Sequence, residues 1–112
     1  MTVYLVPWDT NRDLMHEANR LYDEAGTFDP VEKGDFVAVK LHVGELGNPY
    51  YVQPFFVHDI ARRVKEAGGK PFLTDSGTYY RAHRNNAVDH MLNALMNGFN
   101  MAPFIVADGL RG

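Results

Sequence analysis

Phe36-Val-Ala-Val-Lys-Leu-His-Val43 is the stretch that decides the fold. Side chains of an extended strand alternate between its faces. Val37, Val39, Leu41 and Val43 then share one wholly apolar face, while Phe36, Ala38, Lys40 and His42 share the other. The second face starts apolar and turns polar. A core strand of that kind delivers its last side chains to a site at its carboxyl end. Lys33-Gly34-Asp35 supplies a turn in front of it.

Helical patterns lie on both sides. Upstream, Leu14, Met15, Ala18, Leu21, Tyr22 and Ala25 recur at helical spacing, with the capping side chains Asp9, Thr10 and Asn11 before them and Gly26 at the C-terminal cap. Downstream, Gly44-Glu-Leu-Gly-Asn-Pro49 is a loop. Gln53-Pro54 opens a helix with Val57, Ile60, Ala61 and Val64 on its inner face, Arg62, Arg63 and Lys65 near its end, and Gly68-Gly69 after it. Pro71-Phe-Leu-Thr74 reads as a strand and residues 75–86 as a polar loop. Asn86 with Asp89 starts a third helix, whose apolar stripe is Val88, Met91, Leu92, Leu95, Met96 and Phe99. Phe104-Ile-Val-Ala107 is the last strand, and residues 3–6, closed by Pro7, are the first. The order strand, helix, strand, helix, strand, helix, strand predicts one three-layer α/β domain over residues 1–112. Its sheet is mainly parallel, with about four strands and three crossover helices.

Composition narrows the function. The chain has 112 residues, 46% apolar and 22% charged, which suits one folded domain rather than a disordered segment. Eleven Lys and Arg stand against fourteen Asp and Glu, a net charge of −3 that argues against a nucleic-acid binder. With no cysteine, the chain has no disulfide, no thiolate metal site and no thiol nucleophile. No apolar run approaches the roughly 18 residues of a membrane span, so no membrane partner is expected. The first residues lack the pattern of a signal peptide, and a cytoplasmic setting is expected.

In open parallel sheets, ligands bind beyond the carboxyl ends of the strands. Those ends carry Asp9, His42 with Glu45, Asp75 with Ser76, and Asp108-Gly109. The plainer reading of such Asp and Ser residues is helix capping and turn formation, which suits Asp9. His42 and Glu45 are close enough to share a metal or a proton, although no regular ligand spacing completes them. Backbone amides around Gly44 and Gly47 suit an anion, but neither a phosphate-binding Gly-Lys-Ser/Thr loop nor Gly-x-Gly-x-x-Gly is present. Arg84 has the chemistry to clamp a carboxylate or phosphate, whereas Arg81 reads as a solvated loop charge. By helical period His90 falls on the polar side of its helix, away from the sheet. His16, His58 and His83 read as surface residues, and Met91, Met96 and Met101 as core filler.

Four segments in one order carry a family resemblance. They are Val39-Lys-Leu-His-Val-Gly-Glu-Leu-Gly-Asn48, Glu66-Ala-Gly-Gly-Lys-Pro-Phe-Leu-Thr-Asp75, Arg84-Asn-Asn-Ala-Val-Asp-His90 and Ala107-Asp-Gly-Leu-Arg-Gly112. Together they resemble the opening part of the domain-of-unknown-function 362 family of bacterial and archaeal proteins. The resemblance brings forward His42, Gly44, Glu45, Gly47, Asn48, Asp75, Thr78, Tyr80, Arg84, Asn86, His90, Asp108 and Gly109. This chain departs from the family pattern at Pro49, where Thr is expected, and at Ser76-Gly77, where Thr-Asn is expected. Family members are usually longer, and many carry a ferredoxin-like run of cysteines, which implies iron–sulfur redox chemistry. The family is also distantly similar to nickel-dependent lactate racemases.

The resemblance and the strand-end residues together lead to a ligand- or metal-binding α/β subdomain of an iron–sulfur-associated redox or racemase-like protein. Its ligand residues are His42, Gly44, Glu45, Asn48, Asp75, Ser76, Thr78 and Arg84, with His42 and Glu45 as metal ligands. No cofactor is assigned to this chain; a cluster would need cysteines from a longer parent. Expected partners are a small anion or a metal ion, the remainder of a longer chain, a ferredoxin-like protein, or a second copy. The alternative is a non-enzymatic assembly domain.

Overall fold

A computed structural model describes all residues of the chain, 1–112. Its elements run α1 (Leu14–Ala25), β1 (Phe36–Lys40), α2 (Pro54–Glu66), β2 (Lys70–Asp75), α3 (Ala87–Met96) and β3 (Phe104–Val106). The strands pair in parallel in the order β1-β2-β3, with Phe36 opposite Lys70 and Leu73 opposite Phe104. The chain is an α/β protein with a parallel sheet, as the alternation predicts.

Local chemistry explains the boundaries. Asp13, rather than the expected Asp9 cluster, caps α1: its carboxylate accepts the N–H groups of Met15 and His16. Gly26 ends the helix in the left-handed region at φ 61°. Pro54 opens α2, where its missing N–H costs nothing. Asn86 caps α3 by accepting the N–H of Asp89, as its spacing predicts.

Other expectations need correction. Residues 3–6 form no strand, so the sheet has three strands rather than four. Val6 and Trp8 instead line a groove with Leu14, Ala18 and Leu21 of α1 and Phe56 of α2. A short apolar run becomes a strand only when an edge pairs with it, and Pro7 removes one donor from this one.

The chain also builds two layers rather than three. Successive right-handed crossovers that advance in one direction leave their helices on one face of the sheet. Val57 of α2, Leu73 of β2, and Ala94 of α3 accordingly share one core with Val43 and Phe99. α1 lies on the outer flank of α2, joined to it by Asn19–Asp59, Arg63–Asn19 and Arg63–Asp23 contacts. The alternation expected for β1 holds: Val37 and Val39 are half-buried, and Phe36, Ala38 and Lys40 are exposed. Phe36 and Lys40, with Ile105 of β3, belong to the face that carries no helix.

The third helix is turned relative to its predicted stripe. Val88, Met91, Leu92, Leu95 and Met96 are exposed, whereas Ala87, His90, Asn93 and Ala94 are buried. Ala94 joins the core, and two polar contacts add to it: Asn93 donates to the Gly44 carbonyl at 2.8 Å and Asn97 to the Val43 carbonyl at 2.8 Å. A loop carbonyl removed from water needs a donor, and these two amides supply it. No helix is long and apolar enough to cross a membrane.

Candidate functional site

The parallel order puts the carboxyl ends of β1, β2 and β3 along one edge. Asp75 is the last residue of β2, Glu45 follows β1, and Asp108 follows β3. The loop of residues 76–86 supplies Thr78, Tyr80 and Arg84. Its ends are held by the Thr78 N–H donating to the Arg84 carbonyl and by the Gly77 N–H donating to the Asp108 carboxylate.

Arg84 is the centre of this edge. Its side chain is 5% exposed, and it reaches three partners. Nε donates to Glu45 Oε1 at 2.7 Å, one terminal nitrogen lies 3.4 Å from Asp75 Oδ2, and the other donates to the Tyr80 hydroxyl at 2.9 Å. The Tyr80 hydroxyl in turn donates to Glu45 Oε1 at 3.2 Å. Lys40 adds a second cation 3.5 Å from Asp75 Oδ1, from an exposed position. Partial burial pushes the Glu45 pKa up, but the hydrogen bond and charge of Arg84, with the Tyr80 hydroxyl, outweigh it and hold the carboxyl below its ordinary range. Glu45 is therefore an ionised acceptor, and Oε2 has no bond within the chain.

His90 corrects the sequence expectation. It is fully buried beneath the edge, not on a solvated face. Its ring packs against Phe104 with centroids 5.2 Å apart, and Nε2 lies 3.8 Å from Asp75 Oδ2. Neither ring nitrogen has a hydrogen-bond partner. Burial lowers its pKa; Asp75 opposes that shift and Arg84 adds to it. The imidazole is held neutral under a carboxylate that Arg84 already satisfies.

The remaining expected residues are distributed along the edge. His42 is exposed beyond the end of β1, on the helix-free side. Its Nδ1 accepts the Gly44 N–H at 2.9 Å, which places the ring proton of neutral His42 on Nε2. The single lone pair of that imidazole is thus engaged, and a metal at His42 would have to displace this bond. No three His, Asp or Glu side chains are grouped so as to hold an ion. Gly44 has φ 78°, and a Cβ there would come within 2.6 Å of the Tyr51 ring. Asn48 accepts the Tyr50 N–H and lines a separate hollow with Gly47, Pro49, Tyr51 and Asn97. The Ser76 N–H closes onto Asp75 Oδ1. Thr78 lines a third hollow, with Asn85 and Asp108. Glu45, Asp75 and Arg84 therefore meet, while Asn48 and Thr78 lie to either side of them.

The four segments now have a common structural location. Residues 37–111 match the family described as Domain of unknown function (DUF362). The chain belongs to the DUF362 family. No curated protein matches it, and no solved structure does. The matched DUF362 region begins in β1 and contains every residue of the Arg84 network. The donors of this chain do not fit an iron–sulfur cluster, because it has no cysteine.

Sequence reasoning did not single out Asn93 and Asn97, which hold the Gly44 loop. Their signal was the spacing His90, Asn93, Asn97, a polar stripe at three and four residues along one side of a helix.

Proposed function

We propose that this DUF362 chain is a ligand-binding α/β part of its protein, and that it takes a small polar ligand at the carboxyl edge of β1, β2 and β3. One observation carries the reading. Carboxylates from three successive strand ends are tied to one loop, Glu45 and Asp75 through buried Arg84 and Asp108 through the Gly77 N–H. Such a network fixes loop geometry without waiting for a ligand, which lowers the ordering cost of binding. Around it stand groups able to meet a ligand: Oε2 of half-buried Glu45 as acceptor, and Nε2–H of exposed His42 as donor. Any redox or racemase-like chemistry would draw its cluster or metal from outside this chain. The residues here would bind and orient.

The test is amide-shift mapping of the isotope-labelled chain against a panel of zinc, inorganic phosphate, acetate and succinate. The expected shifts fall within residues 42–48, 75–86 and 106–112. Shifts restricted to other surfaces, or none with any member, would overturn the reading.

A second reading, an assembly surface, is favoured by α3. Val88, Met91, Leu92, Leu95 and Met96 leave one helix face apolar and exposed, and contiguous apolar patches of this kind mark interaction sites. The remainder of a longer chain or a second copy would cover it. Light scattering of the chain and of Leu92→Glu distinguishes self-association from a monomer.

A further inference from the structure

The chain has seven arginines, and five of them pair with carboxylates: Arg12, Arg20, Arg62, Arg63 and Arg84. The two that make no ion pair, Arg81 and Arg111, line the same cavity. This cavity of about 480 Å³ opens at the carboxyl edge beside β2 and β3, with Thr78, Asn85 and Asp108 in its walls. Its size falls within the range of small-molecule sites, about 300–1,000 Å³.

The walls come from two loops that are tied together. One is the loop after β2; the other is the segment after β3. Asp108 accepts the Gly77 N–H at 2.9 and 3.0 Å, and the Ala87 N–H donates to the Leu110 carbonyl at 3.1 Å. Arg81 stands on the first wall and Arg111 on the second. Two guanidinium side chains thus share the cavity with a single carboxylate side chain, Asp108, in a chain whose overall charge is −3. Gly77 also presents bare backbone: a Cβ there would sit 3.3 Å from Asp108 and 3.5 Å from the Arg84 carbonyl.

We propose that this cavity is an oxyanion subsite, in which Arg81 and Arg111 grip a carboxylate or phosphate group of the ligand. Arg84, the arginine that the sequence favoured for this task, is spent on Glu45 and Asp75; Arg81, read as a solvated charge, takes its place. Thr78 Oγ1 donates to the Tyr80 carbonyl, and its lone pairs remain for a ligand proton. The assignment rests on the carboxyl-edge reading and adds the charge of the ligand to it. Forked guanidinium donors match the planar oxygens of a carboxylate and the tetrahedral oxygens of a phosphate, and such charge-assisted bonds are the strong ones.

The experiment titrates sodium phosphate and sodium acetate, at matched ionic strength, into the labelled full chain and into Arg81→Gln, Arg111→Gln and Lys65→Gln. Saturable shifts are expected at Gly77, Thr78, Asn85 and Gly112. Affinity should fall about tenfold in each arginine variant and hold in Lys65→Gln, the exposed control on α2, as loss of one charge-assisted contact requires. Tighter phosphate than acetate identifies a phosphate-bearing ligand, and the reverse identifies a carboxylic acid. Equal weakening in all three variants would reduce the effect to general charge and overturn the subsite. Shifts around Gly44–Asn48 that ignore both arginines would overturn the subsite and leave the edge reading standing. No shift at the edge with either anion would overturn the subsite, and failure of the wider panel there as well would remove the edge reading.

Discussion

Replacing Arg84 with Met removes the cation on which two carboxylates converge while keeping most of the aliphatic stem. Asp75, 9% exposed, then loses its closest cation inside the protein. Breaking a buried ion pair from one side costs about 3–5 kcal/mol, because the abandoned charge stays desolvated. Two features of the structure reduce that figure. Lys40 remains 3.5 Å from Asp75, although at 75% exposure its contribution is screened. Glu45, 28% exposed, can turn to water. The expected loss is about 3 kcal/mol, out of a total stability of about 5–15 kcal/mol for a domain. With a urea slope of about 1.5 kcal/mol per molar, the midpoint falls by about 2 M. Urea unfolding followed by far-UV circular dichroism measures it. Asp75→Asn in the Arg84→Met background removes the stranded charge, so the double variant should recover about 1–2 kcal/mol relative to the sum of the singles. A midpoint shift below about 0.5 M, or strictly additive costs, would refute the view that Arg84 neutralises a buried charge.

Acid should weaken the fold in two stages. Burial holds the His90 pKa below 6.5 with Asp75, Arg84, Asp108 and Glu45 around it, so the unfolded chain carries the extra proton; stability is full above pH 6.5 and falls as pH drops towards the folded value. Glu45, held below 4.5, contributes stability above that pH and loses it as pH falls through its folded value; melting temperatures across the pH range resolve both stages. His90→Leu removes two buried nitrogens without partners, so the first stage should vanish at a stability change within about 1 kcal/mol, and a loss above about 2 kcal/mol would contradict it. Gly44→Ala and Gly47→Ala both place an L residue at positive φ, costing about 1–2 kcal/mol, but only at Gly44 does the new Cβ collide with Tyr51; chemical unfolding should show Gly44→Ala as the worse by a further 1–3 kcal/mol or so. Leu92→Glu on the exposed face of α3 should leave the melting temperature within a few degrees while lowering any self-association seen by light scattering.

The sequence by itself determined what depends on local geometry. Alternation in residues 36–43 assigned the inner and outer faces of β1. Gly26, Pro54 and Asn86 marked helix ends because a left-handed cap, a spare N–H and an N-cap oxygen are requirements of the backbone itself. Strand and helix in alternation, with connections long enough only for crossovers, implied a parallel sheet. The strand ends named Glu45 and Asp75, and the chemistry of the polar loop after β2 added Arg84.

Tertiary structure decided the rest, because it concerns which group meets which. The apolar stripe of α3 pointed one way by composition, yet the helix docks through the face of His90, Asn93, Ala94 and Asn97, where Asn97 and Asn93 supply the donors that the Val43 and Gly44 carbonyls require. Residues 3–6 have strand chemistry and no edge that pairs with them. Arg81 and Arg84 are three positions apart and alike in chemistry. One is buried between two carboxylates and the other faces an open cavity with Arg111. Charge is a property of a residue; whether that charge is already answered depends on distances and burial that only the folded chain sets.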